Sequence, residues 1–125
     1  MSFLCPKCTI NTLNIIKMIE LPPDSRSDET SVQVVQCQKC GLQGVAIYEE
    51  SRRGSLASES YSHTGYLLPE KAIEMVIQAI EKCPDNKNSK CKCSSHTFFN
   101  ILDEGKRWVW INTQPILDVF QMKIG

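Results

Sequence analysis

The sequence predicts a small α+β domain tied together at two cysteine clusters. Three observations carry this expectation. Cys5, Cys8, Cys37 and Cys40 form two C-x2-C pairs with residues 9–36 between them. Apolar, β-prone segments lie between and after the pairs, at 13–21, 32–35 and 45–48. Beyond Pro69, Ile73, Val76, Ile77 and Ile80 recur at three- and four-residue spacing, the period of one helical face. The chain of 125 residues suffices for one domain, or for two very small units that share a core.

The elements follow in order. Residues 1–50 form the first unit. A turn at Cys5–Cys8 precedes an apolar segment from Leu13 to Leu21, which Pro22-Pro23 ends because proline cannot donate to a ladder. Asp24 to Ser31 is polar and acidic, a surface loop. Val32 to Val35 reads as a short strand that enters the second turn, Cys37–Cys40, and Val45 to Tyr48 is a third strand. Residues 51–125 form the second part, packed with the first as one unit. Serine and glycine crowd residues 51–66, which points to an irregular connection. Pro69 suits a first helical position and Glu70 the positive end of the helix dipole. The helix should stop near Lys82, because the residue before Pro84 disfavours helical geometry. Cys83 to His96 is a loop rich in cysteine and lysine. Trp108 to Ile111 and Ile116 to Ile124 are β-prone and read as terminal strands.

Composition narrows the class. Lys plus Arg equals Asp plus Glu at 14 each, apolar residues make up 42% and charged residues 22%, as in a soluble globular protein. The absence of net charge gives the whole chain no general attraction to phosphate. The N-terminus lacks a basic segment followed by an apolar one, and no apolar run has the length of a membrane span. A cytoplasmic protein without a membrane partner is expected. In that compartment clustered cysteines serve as metal ligands or redox thiols more often than as disulfides. The count of seven cysteines also prevents complete pairing within one chain.

Cys5, Cys8, Cys37 and Cys40 have the spacing of a four-thiolate site. Two residues between cysteines let both sulfurs face one ion while backbone N–H groups point at them. Gly41 relieves the tight turn after the second pair. Four thiolates suit tetrahedral Zn2+ and leave no open position. Iron held by four thiolates, a redox switch between thiols, and free buried thiols are the alternatives. On these two C-x2-C knuckles and three short strands, residues 3–50 resemble a zinc ribbon, a zinc-finger fold type with many functions. The resemblance implies a hairpin that contacts nucleic acid or protein. At the expected hairpin tip, however, Glu20, Asp24, Asp28 and Glu29 stand against Arg26 alone, which disfavours phosphate.

Cys83, Cys91, Cys93 and His96 form a second set, C-x7-C-x-C-x2-H. Three thiolates and one imidazole complete a tetrahedron, with Cys83 at the end of the expected helix. His63 is an alternative fourth ligand, and a local redox or free-thiol role is the competing chemistry. Two zinc ions per chain are thus expected. Filled, the sites carry net charges of about −2 and −1, so the formally neutral chain becomes negative.

No catalytic constellation is visible. His63 beside Glu59 could act as a base, but a histidine hydrogen-bonded in a loop is the plainer reading. No H-E-x-x-H, phosphate-loop or zinc-deaminase pattern occurs. Arg52, Arg53, Lys106 and Arg107, with Trp108 and Trp110 as stacking platforms, are candidates for a local nucleic-acid patch. In a strand the two tryptophans would share one face, which core packing also explains. Lys82, Lys87, Lys90 and Lys92 offset the thiolate charge of the second cluster. Two closed metal sites point to a non-enzymatic zinc-binding adaptor or regulatory protein that contacts another protein. A nucleic-acid-associated zinc ribbon and a thiol redox sensor are the alternative functions.

Overall fold

The computed structural model describes residues 2–22, 29–51, 60–100 and 108–124. Its strands are β1 (Ser2–Leu4), β2 (Asn11–Leu21), β3 (Glu29–Cys37), β4 (Gln43–Ser51), β5 (Ser60–Leu67) and β6 (Asp118–Gln121). Its helices are α1 (Glu70–Lys82), α2 (Ser94–Phe99) and α3 (Val109–Asn112).

The strands form one antiparallel sheet in sequence order, β1 to β6. Its two edges meet where Leu4 N–H donates to the Lys123 carbonyl at 2.7 Å. The sheet is therefore a curled half-barrel and not an isolated three-stranded ribbon, which corrects the narrower expectation. β4 is the reason. Its outer edge pairs from Val45↔Tyr66 to Ser51↔Ser60 with β5. Ser60–Leu67 was expected to be part of an irregular connection. Its serines, threonine and glycine mask a strand whose alternate residues His63 and Gly65 are buried.

β3 runs through the centre. It is buried at nearly every position, because both faces of the sheet are covered there. Val32 and Val34 face the helices, while Gln33, Val35 and Cys37 point to the concave face. β2 contributes to both faces through a bulge between Ile15 and Lys17. The extra residue moves the odd positions across the sheet. Leu13 packs in the concave-side core, whereas Ile19 and Leu21 pack under the helices.

α1 begins after Pro69, which caps it with extended ψ, so Glu70 takes the first helical position. Of the expected stripe Ile73, Val76 and Ile80 are buried and Ile77 is half-buried, Ala72 joins them, and Cys83 caps the C-terminus. These side chains, with Phe99, Trp110 and Ile111, complete the larger core. Burial of an Ile or Val side chain contributes roughly 1.5–3 kcal/mol, so this face dominates the packing energy of α1.

The segment Trp108–Ile111 departs from the strand expectation. Trp108 has φ 69°, and Val109–Asn112 is a short helix. Trp110 and Ile111 are adjacent, and both enter the same core. Neighbouring residues on a strand point to opposite faces, so a helical turn is what buries both. Only Asp118–Gln121 of the expected terminal strand pairs, with β5. Of the expected tip, Glu20 and Glu29 lie on β2 and β3, while Asp24, Arg26 and Asp28, like Arg52, Arg53, Glu59, Lys106 and Arg107, lie outside the described residues. Among the described residues no helix is long and apolar enough to cross a membrane.

Candidate metal centres

The first cluster is assembled by two similar knuckles. Cys5 and Cys8 sit in the turn between β1 and β2, and Cys37 and Cys40 in the turn between β3 and β4. The second cysteine of each pair is followed by a residue in the left-handed region, Thr9 at φ 62° and Gly41 at φ +77°. Both close their turn in the same way. Thr9 N–H donates to the Cys5 carbonyl at 2.8 Å, and Gly41 N–H to the Cys37 carbonyl at 3.1 Å. Gln38 N–H then reaches the Thr12 carbonyl at 2.8 Å and locks one knuckle against the other.

The sulfurs converge as a result. Cys5 Sγ lies 3.8 Å from Cys40 Sγ, and Cys8 Sγ lies 3.7 Å from Cys37 Sγ. A tetrahedron with metal–sulfur bonds of about 2.3 Å has edges of about 3.8 Å. The distances are far too long for a disulfide, and all seven cysteines are free. Backbone N–H groups of Cys8, Lys39 and Cys40 point at the sulfurs of Cys5 and Cys37 at 3.4 Å. The Thr12 hydroxyl lies 3.0 Å from Cys37 Sγ. Burial pushes the Cys37 thiol up, but the Cys40 N–H, the Thr12 hydroxyl and the Lys39 N–H outweigh it and bring it down to about 5. Cys8 moves the other way, to about 12, through its hydrogen bond with Cys40, then burial and its bond with Cys37. Without a cation the four thiols cannot all ionise side by side. A divalent ion removes that conflict.

The second cluster joins three elements. Cys83 caps α1, Cys91 lies in the following loop, and Cys93 caps α2, whose first turn contains His96. Cys83 Sγ is 3.9 Å from Cys91 Sγ. His96 Nδ1 is 3.3 Å from Cys83 Sγ and 3.2 Å from Cys93 Sγ. The other ring nitrogen, Nε2, donates to the Glu20 carbonyl on β2 at 2.7 Å. That bond places the proton on Nε2 and leaves the Nδ1 lone pair facing the thiols. Asn86 completes the attachment by accepting from Glu20 N–H at 2.7 Å. β1 covers β2 only as far as Asn14, so this loop satisfies the exposed outer part of β2.

Each cluster presents four ligand atoms within 4.8 Å of one another, and the residues are those whose spacing suggested them. Both can hold a metal ion. His63, the alternative fourth ligand, lies elsewhere. It is on β5, with Nε2 hydrogen-bonded to Gln33 Oε1 at 2.6 Å. Lys82, Lys87, Lys90 and Lys92 are all exposed around the second cluster. Thr12 and the Glu20 carbonyl were not foreseen as supports of the two sites. Nothing in one sequence marks a carbonyl as a histidine partner. Thr9 could have been found from its position, which matches that of Gly41 in the other knuckle.

The chain stands without a match. No protein-family model fits it, and neither the curated proteins nor the solved structures contain a match to it.

Proposed function

We propose that this chain is a non-enzymatic zinc-binding adaptor, with two structural zinc ions, that contacts another protein. The observation that supports it is the completeness of both ligand sets. Each has four soft or borderline donors at tetrahedral spacing, a combination that suits Zn2+ and leaves no position for substrate or activated water. Each set also ties together elements that are distant in sequence: the two knuckles in one case, α1, α2 and β2 in the other. Structural zinc of this kind supplies folding energy directly. Among the described residues, the histidine outside the clusters, His63, is engaged with Gln33 and has no nucleophile or carboxylate partner.

Metal analysis of intact, purified protein tests the reading. The expected content is about two zinc ions per chain, falling to about one in Cys83→Ser while the first site stays filled. A folded protein with no zinc would overturn it, and iron at the first site would overturn the assignment of the ion.

A further inference from the structure

On the concave face of the half-barrel, Cys5 and Cys37 of the first cluster join the core at one end only. Near the knuckles this face is filled by Leu13, Val35, Phe120 and Met122. Further along the strands it opens into a trough of about 770 Å³. Cross-strand register assembles its floor. Glu20 lies opposite Ser31, Ser31 opposite Tyr48, and Tyr48 opposite His63. A second row runs from Glu29 through Glu50 to Tyr61. Phe3 arrives from β1 on the other side, and its ring centroid is 5.1 Å from that of His63. Tyr48 stands edge-on to His63 at 5.3 Å and stacks with Tyr61 at 6.4 Å. Four rings of three strands therefore line one cavity.

Carboxylates, an amide oxygen and an imidazole supply acceptors in this cavity. Gln33 Nε2 donates to Ser31 Oγ at 3.2 Å, so its Oε1 accepts from His63 Nε2–H. In its neutral form the His63 ring keeps Nδ1 as a further acceptor, and the residue is 8% exposed. Burial holds its ionisation below the ordinary histidine range, in keeping with that neutral state. Glu20 and Glu29 add two carboxylates to the wall, and burial followed by the charge of Glu29 pushes the Glu20 carboxyl up. Tyr48 is anchored by donating its hydroxyl to Glu50 at 2.8 Å. Among the described lining residues Lys123 is the one positive charge, and it is exposed.

The geometry points to a recognition site for a guanidinium group, presented as an arginine side chain of a protein partner. Aromatic faces attract a cation, and a planar guanidinium stacks on them while its five N–H groups reach carboxylate and imidazole acceptors. A compact ammonium has fewer donors and no plane to stack. The trough also exceeds the volume of a small cation, leaving room for the alkyl stem that an arginine would lay along Met18 and Phe3. The chain with both sites filled is negative, which complements a basic partner. This inference rests on the adaptor reading and supplies the chemistry of its partner.

The test uses zinc-loaded full-length chain and the blocked pentapeptide Gly-Gly-Arg-Gly-Gly, with lysine and citrulline counterparts and methylguanidine as further probes. Saturable shifts of the ring signals of Tyr48, Tyr61 and His63 are expected with the arginine peptide. Lysine and citrulline peptides should bind about tenfold more weakly. Glu20→Gln and Tyr61→Ala, checked for intact zinc content, should each weaken the arginine peptide roughly three- to tenfold. Absence of saturation up to about 10 mM overturns the site, and equal binding of arginine and lysine peptides reduces it to unspecific charge attraction. Methylguanidine binding as tightly as the peptide overturns the assignment to a protein side chain. Failure of the peptide with two zinc ions retained and a protein partner captured removes this inference alone. Peptide binding to a protein that holds no zinc removes the adaptor reading and keeps the trough.

Discussion

His63 and His96 are the same side chain in two settings, and their neighbours give them different chemistry. His96 keeps Nδ1 for the thiols because its Nε2–H donates to the Glu20 backbone carbonyl. His63 turns Nε2 to Gln33 and is kept neutral by burial. An unfolded chain protonates this histidine near pH 6.5, whereas the folded chain does so only at lower pH. Its contribution to stability is therefore intact above about pH 6.5 and is lost as pH falls through the folded value, because the unfolded state binds the proton first. Denaturant titrations of wild type and His63→Gln between about pH 7 and 5 should show a shallower pH dependence in the variant. Acid loss of zinc affects both proteins and cancels in the comparison, so equal slopes would show that His63 does not titrate there. The cluster residues were legible in the sequence because metal-ligand spacing is local. The separate place of His63 was not, because it depends on which β3 residue lies across the sheet.

At the level of elements, the best-read segments were those with a strong period. α1 follows its isoleucine and valine stripe, and β3 and β4 extend the β-branched runs in both directions. β5 was hidden because its alternation sets small polar residues against a glycine. That glycine has a specific task. A Cβ at Gly65 would meet the Phe120 ring at 2.3–2.7 Å. Phe120 of β6 lies opposite Gly65 in the register, and its ring occupies the space a side chain would need. Gly65→Ala should destabilise the protein by about 1–3 kcal/mol, as overpacking does. The same substitution in a Phe120→Ala background should cost clearly less, which a double-mutant cycle in denaturant would measure. The turn at Trp108 was misread for a related reason. Aromatic and β-branched composition favours a strand, and only the burial of adjacent Trp110 and Ile111 in one core selects a helical turn.

Across the whole molecule the two clusters, once filled with metal, would divide the work of holding the sheet. The first binds the β1–β2 turn to the β3–β4 turn beside the concave-side core. The second fastens α1 and α2 to the outer part of β2, over the larger core. Cys83→Ser should therefore loosen the two helices selectively. Hydrogen exchange should show protection lost by more than about tenfold in Ser94–Phe99 and at the end of α1, with Val34 and Val35 still protected. Uniform loss along the chain would show instead that the second site holds the entire fold. The sequence by itself determined which cysteines and histidine cluster, the helix α1 and the mixture of sheet and helix, because cysteine spacing and hydrophobic period are properties of neighbouring residues. The tertiary structure alone decided that the strands continue into a half-barrel, that Glu20 orients His96, and that four rings and two carboxylates share a trough. Those features depend on register, and a shift of one residue, such as the bulge between Ile15 and Lys17, sends every later side chain to the opposite face.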